Sequence, residues 1–278
     1  MDIETIEMAE RKAKFILKNS TPAMANALRR TLLSDIPKMA IDDVEFSLGM
    51  MSDESEKEYE CTTPLFDEII AHRLGMIPVP TDLDLFCFKD ECSCGGEGCP
   101  NCTINYILNK TGPCTVLSGD LMPLGGPELK VKDEFIPIVE LTDNQAVLIY
   151  ATAVMGTARK HVKWQVCNGV GYSYMPVINV INDEITDDVQ KALDKYPNDV
   201  FAVEGGELVV KDVINSSKCI DLIEELVHLG AVEAHPDDKN FLFKFETDGS
   251  LTAQQALDKA VEILAAEALE FKSQVEAL

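Results

Sequence analysis

Four cysteines within eleven residues are the side chains of this sequence best suited to chemistry. Cys92, Cys94, Cys99 and Cys102 follow the pattern C-x-C-x4-C-x2-C, with three glycines between the two halves. Glycine adopts positive φ freely, so both pairs of thiols can converge on one ion. Four thiolates at tetrahedral corners are the ligand set of a structural zinc site. The pattern predicts a zinc centre, with an iron–sulfur cluster, a redox pair or a metal-free loop as alternatives.

The remaining five cysteines are isolated in the sequence. Isolated cysteines mostly behave as small buried hydrophobes, and we expect this of Cys61, Cys87, Cys114, Cys167 and Cys219. Crowded cysteines in a chain whose first residues are acidic and polar, unlike a secretory signal, indicate metal binding rather than disulfides. No histidine or carboxylate is placed to leave a water position at the 92–102 loop, which disfavours a catalytic metal.

The charge of the chain argues against nucleic acid as a direct partner. Its 278 residues, enough for two or three domains, carry 48 acidic and 24 basic side chains, a net charge of -24. Phosphate backbones repel such a surface, and the short basic stretch at 159–163 is the main local exception. No apolar run is long enough to span a bilayer. We therefore expect a cytoplasmic protein without strong nucleic-acid or membrane binding.

Two amphipathic helices, one near each end of the sequence, are predicted to form the surface that contacts a partner. Thr21 and Pro22 are typical of a helix start, and Pro37 ends an apolar stripe formed by Met24, Ala27, Leu28, Leu32 and Ile36. The last helix begins near Thr252, and its apolar seam consists of Leu257, Ala260, Val261, Leu264, Ala268, Phe271 and Val275. We expect both stripes to stay uncovered until a second polypeptide packs on them.

The segments between these helices are of mixed type. Strands are predicted at 12–17, 39–48 and 241–245, and short strands between 104 and 154. A strand pair is expected at 162–177, a second helix from Thr63, and a charged loop at 51–60. Residues 183–226 are acidic and combine two helical patterns with a hairpin-like segment at 200–210, which predicts a small inserted domain.

Three parts of the sequence resemble the RNA polymerase assembly-subunit family, which comprises bacterial alpha, archaeal D and their eukaryotic counterparts. The first is NALRRTLLSDIP at 26–37, similar to the first dimerisation helix of the family, and the second is FDEIIAHRLGMIP at 66–78. The third is HVKW at 161–164 together with ETDGS at 246–250. The three occur in the order of the family and extend over nearly the whole chain.

This resemblance implies an α+β fold with an alpha-subunit-like dimerisation domain formed by 1–48, 161–182 and 227–278. It also implies an inserted, mostly-β domain at 49–160 that carries the cysteine loop as a zinc-type loop. The eukaryotic members have one residue fewer in the middle of that loop, so it must bulge here. A ferredoxin-like domain is implied at 183–226, where the acidic composition and the helix and hairpin patterns predict a small inserted domain independently of the resemblance.

Many archaeal members of the family hold a four-iron cluster in that ferredoxin-like domain. The positions that correspond to the ligands of that cluster are here Ser216, Cys219, Leu222 and Leu226, with Tyr196 in place of a further cysteine before proline. One thiolate cannot hold a cubane that needs four. We therefore expect the domain to be retained without its cluster.

The family resemblance implies a non-catalytic scaffold that pairs with the small L subunit and contacts subunit N and the second-largest subunit. Arg29 and Arg30 are expected to face a large subunit, or else to form an exposed salt-bridged face. An iron–sulfur or zinc-dependent redox protein using the 92–102 loop is the alternative. The residues expected at the partner interface are Met24, Leu28, Arg29, Arg30, Leu32, Leu264, Ala268 and Phe271.

Overall fold

Helices and strands are both frequent in this chain, as its sequence predicts. The structure, a computed structural model, describes residues 1–52, 56–182, 184–214 and 216–277. Its helices are α1 Pro22–Ser34, α2 Asp67–Gly75, α3 Asp187–Lys195, α4 Ile220–His228 and α5 Ala253–Glu276. Its strands are β1 Asp2–Met8, β2 Lys12–Lys18, β3 Lys38–Phe46, β4 Met50–Ser52, β5 Glu58–Cys61, β6 Thr103–Thr111, β7 Cys114–Leu117, β8 Met122–Pro123, β9 Pro137–Leu141, β10 Gln145–Gly156, β11 Cys167–Val180, β12 Phe201–Glu204, β13 Glu207–Val210 and β14 Val232–Thr247.

The strands form sheets of different sizes within the described residues. One sheet has the order β1-β2-β14-β11, and a larger one has the order β4-β5-β10-β6-β8, with β3 also paired to β10. β12 pairs with β13, and β7 pairs with β9. The long strand β10 is antiparallel to both β3 and β6, so it organises the larger sheet. No described helix is long and apolar enough to cross a bilayer.

The chain divides into two compact units. One contains residues 1–7, 14–27 and 171–244, and the other contains 8–13, 28–170 and 245–278. In the second unit, alternate residues of β3, β6 and β10 are buried together with the inner face of α2. Tyr106 is fully buried there, and its hydroxyl donates to the carbonyl of Leu129 at 2.7 Å.

Residues 171–244 of the first unit enclose an apolar core of their own. α3 and α4 contribute Val189, Leu222 and Leu226 to this core, and the β12–β13 hairpin contributes Phe201 and Leu208. The expected order of helix, hairpin and helix at 183–226 is thus confirmed by α3, β12, β13 and α4. The predicted domain boundaries themselves stay predictions.

A buried ion pair joins three segments of the second unit. Lys38 at the start of β3 is 3% exposed and pairs with Asp248, and its ammonium also donates to the carbonyl of Gln165 at 3.4 Å. Asp248 in turn accepts hydrogen bonds from the N–H and hydroxyl of Ser250. The ETDGS segment therefore fixes the turn that leads into α5.

Three local predictions are wrong. The segment 51–60 is not simply a loop, because β5 pairs with β10 and buries Tyr59 between exposed charged residues; residues 53–55 lie outside the described residues. The second helix starts at Asp67, since the hydroxyl of Thr63 donates to the carbonyl of Leu65 in a turn instead of capping a helix. In place of a strand pair at 162–177, a short 3-10 helix at Val162–Trp164 precedes the single strand β11.

Candidate metal centre and dimerisation surface

The four clustered cysteines converge in the structure as the sequence predicts. Their sulfur atoms all lie within 4.8 Å of one another. The distances are 3.5 Å from Cys92 Sγ to Cys99 Sγ, 3.7 Å from Cys94 to Cys102, and 3.9 Å from Cys99 to Cys102. A tetrahedron with metal–sulfur bonds of about 2.3 Å has edges of about 3.8 Å. These residues can therefore hold one tetrahedral metal ion.

Glycines and short-range backbone hydrogen bonds bring the two halves of the loop together. Gly95, Gly96 and Gly98 all have positive φ, between 68° and 93°, a region that side-chain-bearing residues seldom occupy. The N–H of Gly95 donates to the carbonyl of Cys92, and that of Cys102 to the carbonyl of Cys99, both at 2.9 Å. Each half is thus a tight turn with its thiols directed to a common point.

The backbone also prepares part of the loop for ionised sulfur. Hydrogen bonds from the Gly98 N–H, then from the Cys92 thiol and the Gly96 N–H, lower the pKa of Cys94 to about 6. A backbone N–H bond from Cys94 lowers the pKa of Cys92, whereas burial raises the pKa of Cys102 to about 12. A cation would stabilise the thiolate of every member, so metal binding would release a proton from Cys102, whose pKa is raised.

The five isolated cysteines show two kinds of environment. Cys167 and Cys219 are buried, as predicted, and burial raises the pKa of Cys167 to about 12. Cys61, Cys87 and Cys114 are only half-buried, so for them the expectation of full burial is wrong. Cys87 lies beside the loop, where its N–H donates to the carbonyl of Asn101 at 3.0 Å.

Four of the five positions aligned with the ligands of an iron–sulfur cluster belong to an apolar core or pack against it. Cys219, Leu222 and Leu226 are at most 2% exposed, and Tyr196 packs against the same cluster of side chains. The sulfur of Cys219 accepts a hydrogen bond from the N–H of Asp199 at 3.5 Å. Ser216 is half-buried in the short turn before α4. Apolar side chains thus fill the region in which a cluster would need thiolates.

Helix α1 begins as its sequence predicts, but it buries more of its stripe than expected. The hydroxyl of Thr21 accepts a hydrogen bond from the N–H of Met24 at 3.3 Å. Leu28 and Leu32 are 4% and 1% exposed in the single chain, whereas Met24 is 41% exposed. The expectation that Leu28 and Leu32 stay uncovered is therefore wrong, because the chain itself encloses them. Arg30 on the same helix is exposed, and Arg29 is half-buried.

Helix α5 has two halves with opposite surroundings. Thr252 and Gln255 form the predicted capping box, and Leu257 and Ala260 are buried by the chain's own residues. The predicted seam is therefore covered at Leu257 and Ala260, contrary to expectation, whereas Val261 is 42% exposed. In the second half Leu264 is half-buried, and Ala268, Phe271 and Val275, which follow it at spacings of four, three and four, form an exposed apolar strip.

Sequence reasoning missed one large exposed residue of this half, which lies outside the strip. Leu269 is 66% exposed, but it lies about 200° around the helix axis from Phe271. A spacing rule that follows one face of the helix does not select it. Further large exposed side chains that the sequence did not single out include Phe66 on α2's N-terminal side and Phe135 before β9.

Comparisons with known proteins agree with this geometry. The family model of the RNA polymerase Rpb3/Rpb11 dimerisation domain matches residues 14–268. DNA-directed RNA polymerase subunit Rpo3 of Thermoplasma volcanium is 43% identical over 261 residues, which is 94% of each chain. The Rpo3 subunit of Picrophilus torridus is 42% identical over 94% of this chain and 95% of its own. That of Archaeoglobus fulgidus is 36% identical over 99% and 98% of the two chains.

The match extends over most of the sequence, including both α1 and the larger part of α5. The relatives have nearly the same length and are named as subunits of one multisubunit enzyme. The chain therefore belongs to the alpha/Rpb3 family of RNA polymerase subunits, in its archaeal branch.

Proposed function

We propose that this subunit is an assembly scaffold that pairs with the small L subunit of an archaeal RNA polymerase, in the cytoplasm. The observation that carries the proposal is the exposed apolar strip on the second half of α5. Its large members Phe271 and Val275 are 69% and 52% exposed, in a helix of 24 residues whose first half already buries Ala253, Ala256, Leu257 and Ala260. The proposal is supported by the matched family model, which describes a dimerisation domain and reaches residue 268, the position of Ala268 in this strip.

Burial of this strip would contribute a large part of the driving force for pairing. Each large apolar side chain contributes about 1.5–3 kcal/mol when it moves from water into a packed interface. The gain must offset the rigid-body freedom lost on association, so several neighbouring side chains have to be covered together. On α5, Leu264 and Ala268 complete the strip, and on α1 the exposed Met24 is an apolar candidate for a partner contact of its own.

A scaffold must also contact the catalytic part of the enzyme, and here the arginines are relevant. We propose that Arg30, exposed on α1, and Arg29 beside it contact the second-largest subunit, and that subunit N docks on the same heterodimer. Guanidinium groups suit such surfaces because they form bidentate bonds with carboxylates. These contacts would hold the subunits together and would take no part in catalysis.

The finer architecture is part of the same proposal. We infer that residues 49–160 form an inserted domain whose cysteine loop holds zinc, since the sulfur geometry fits a closed tetrahedral site. The segment 183–226 is proposed to be a ferredoxin-like insert that keeps its shape without an iron–sulfur cluster. The redox alternative for the 92–102 loop finds no support among the relatives, which are named as polymerase subunits.

The heterodimer proposal is tested by co-expression of the chain with the L subunit and measurement of their affinity. Phe271→Asp should weaken pairing by about 2–4 kcal/mol, because it strands a carboxylate in an apolar interface. Ser273→Asp is the matched control, since it adds the same charge on the same helix about 200° around the axis and should change the affinity little. Equal pairing of wild type and the Phe271→Asp variant would refute the assignment of α5.

A further inference from the structure

An open groove in the 171–244 part of the chain is not explained by the scaffold role of α1 and α5. Its volume is about 440 Å³, and its lining is mostly apolar. One wall is formed by α4, and the floor by segments of β11 and β14, which are neighbours in the four-stranded sheet. The side chains that define the groove are Tyr174, Pro176, Ile220, Ile223, Glu224 and Pro236.

The arrangement of these residues leaves room for a further helix beside α4, packed on the same face of the sheet. Ile220, Ile223 and Glu224 are spaced i, i+3 and i+4, so they share one face of α4. Tyr174 and Pro176 are alternate residues of β11 and therefore point to the same side of the sheet. The groove thus runs alongside a helix and over two strands, where a further helix would continue the layer.

The side chains of the groove contact buried neighbours, but several of them are exposed to solvent. Ile220 and Tyr174 are 53% and 43% exposed, although Ile223 beside them is 9% exposed. Tyr174 is held by the ring of the fully buried Phe241, whose centroid lies 5.2 Å away. An aromatic side chain fixed in this way loses little conformational entropy on binding, which favours its use as an anchor.

The charge of the surroundings specifies the partner. Residues 171–244 contain fifteen Asp and Glu against six Lys and no Arg. Glu224 is exposed at the groove and takes part in no ion pair within the described part of the chain. Charge complementarity across an interface selects partners and speeds encounter, so an occupant with basic side chains is favoured over an acidic one.

We propose that this groove binds an amphipathic helix of a protein partner, with an apolar face seated between α4 and the sheet and Lys or Arg beside Glu224. Helices commonly dock in this way, through apolar anchors at i, i+3, i+4 and i+7. The open form of the groove suits a peptide segment better than a small molecule, which binds where most of its surface is enclosed.

The test uses the full-length chain and a fluorescent 18-residue helical peptide made of Leu and Lys with a single apolar stripe. Its fluorescence anisotropy is measured at physiological salt, beside a peptide in which every Lys is replaced by Glu. We expect the Lys peptide to bind and the Glu peptide to bind at least about tenfold more weakly. Ile220→Asp should weaken binding of the Lys peptide about tenfold or more, because it places a carboxylate against the apolar face.

Matched variants separate the groove from the general acidity of the chain. Val203→Asp alters another exposed apolar side chain, on β12, and Glu207→Lys makes the same charge change as Glu224→Lys away from the groove. We expect Glu224→Lys to weaken binding several-fold and both controls to change it less than about twofold. Equal effects of groove and control variants would overturn the proposal. So would concentration-dependent self-association lost in Ile220→Asp, since the occupant would then be a second copy of this chain.

Discussion

The cysteine loop and the core around α4 are held together by different interactions, the first by clustered sulfurs and the second by buried apolar side chains. At 92–102, four sulfurs within 4.8 Å of one another take the place of a hydrophobic core in a segment rich in glycine and turns. Around α4, the positions where many archaeal relatives are expected to hold a cluster are occupied by Leu222 and Leu226, both fully buried. The loop has too few apolar residues to fold by burial, whereas the α4 region has enough.

From this difference we expect a metal to be dispensable where apolar side chains occupy its volume. A cluster contributes cross-links between segments that are distant in sequence. Burial of Leu222 and Leu226 joins the same segments through packing, because α3, α4 and the β12–β13 hairpin share one core. The two regions should therefore respond differently to loss of ligands and to loss of apolar volume.

The largest effect is expected from the loop ligands. Replacing both Cys99 and Cys102 by Ser should abolish metal binding, since two thiolates cannot complete a tetrahedral site. The wild-type chain should contain about one zinc ion per molecule and the double variant none, as measured by elemental analysis. Cys61→Ser is the control, because this cysteine lies outside the cluster. A full complement of metal in the double variant would place the site elsewhere.

An intermediate effect is expected from the apolar core. Leu222→Ala should lower the free energy of unfolding of the insert by about 2–5 kcal/mol, through lost burial and the cavity that remains. Val227→Ala, on the same helix but 43% exposed, should cost less than about 1 kcal/mol. Hydrogen exchange of the α4 amides reports both values, and similar protection in the two variants would show that Leu222 is not central to this core.

The smallest effect is expected at Cys219, the one thiol among the positions aligned with cluster ligands. Cys219→Ala removes a small side chain and the acceptor of the Asp199 N–H, so it should destabilise the insert by about 1–2 kcal/mol. Iron content should be unchanged by this substitution. A fall in bound iron would show that Cys219 is a ligand and would break the comparison between the two regions.

The sequence allowed prediction of features that depend on local signals. The capping box at Thr252, the cysteine cluster and the order of elements around the 200–210 hairpin each follow from spacing within a few residues. The start of α2 was misplaced because the sequence Thr63-Pro64 suits a turn as well as a helix cap, and only the hydrogen bond from Thr63 to Leu65 distinguishes them.

Long-range burial could not be predicted in the same way. The apolar stripe of α1 has the same appearance whether it meets the chain's own residues or a partner, and the burial of Leu28 and Leu32 depends on segments far away in the sequence. For α5, the seam is uniform in sequence, yet Leu257 is buried and Phe271 exposed. The sequence pattern identifies the apolar residues that should be buried. The fold shows which of them are buried within this chain and which remain exposed.

Native mass spectrometry of this chain co-expressed with the L subunit tests the central claim most directly. The account predicts a heterodimer with one copy of each chain, carrying the extra mass of a single zinc ion and no iron–sulfur cluster. A dimer of this chain beside free L subunit would contradict the assignment of the exposed half of α5, and a bound iron–sulfur cluster would contradict the assignment of the two cysteine regions.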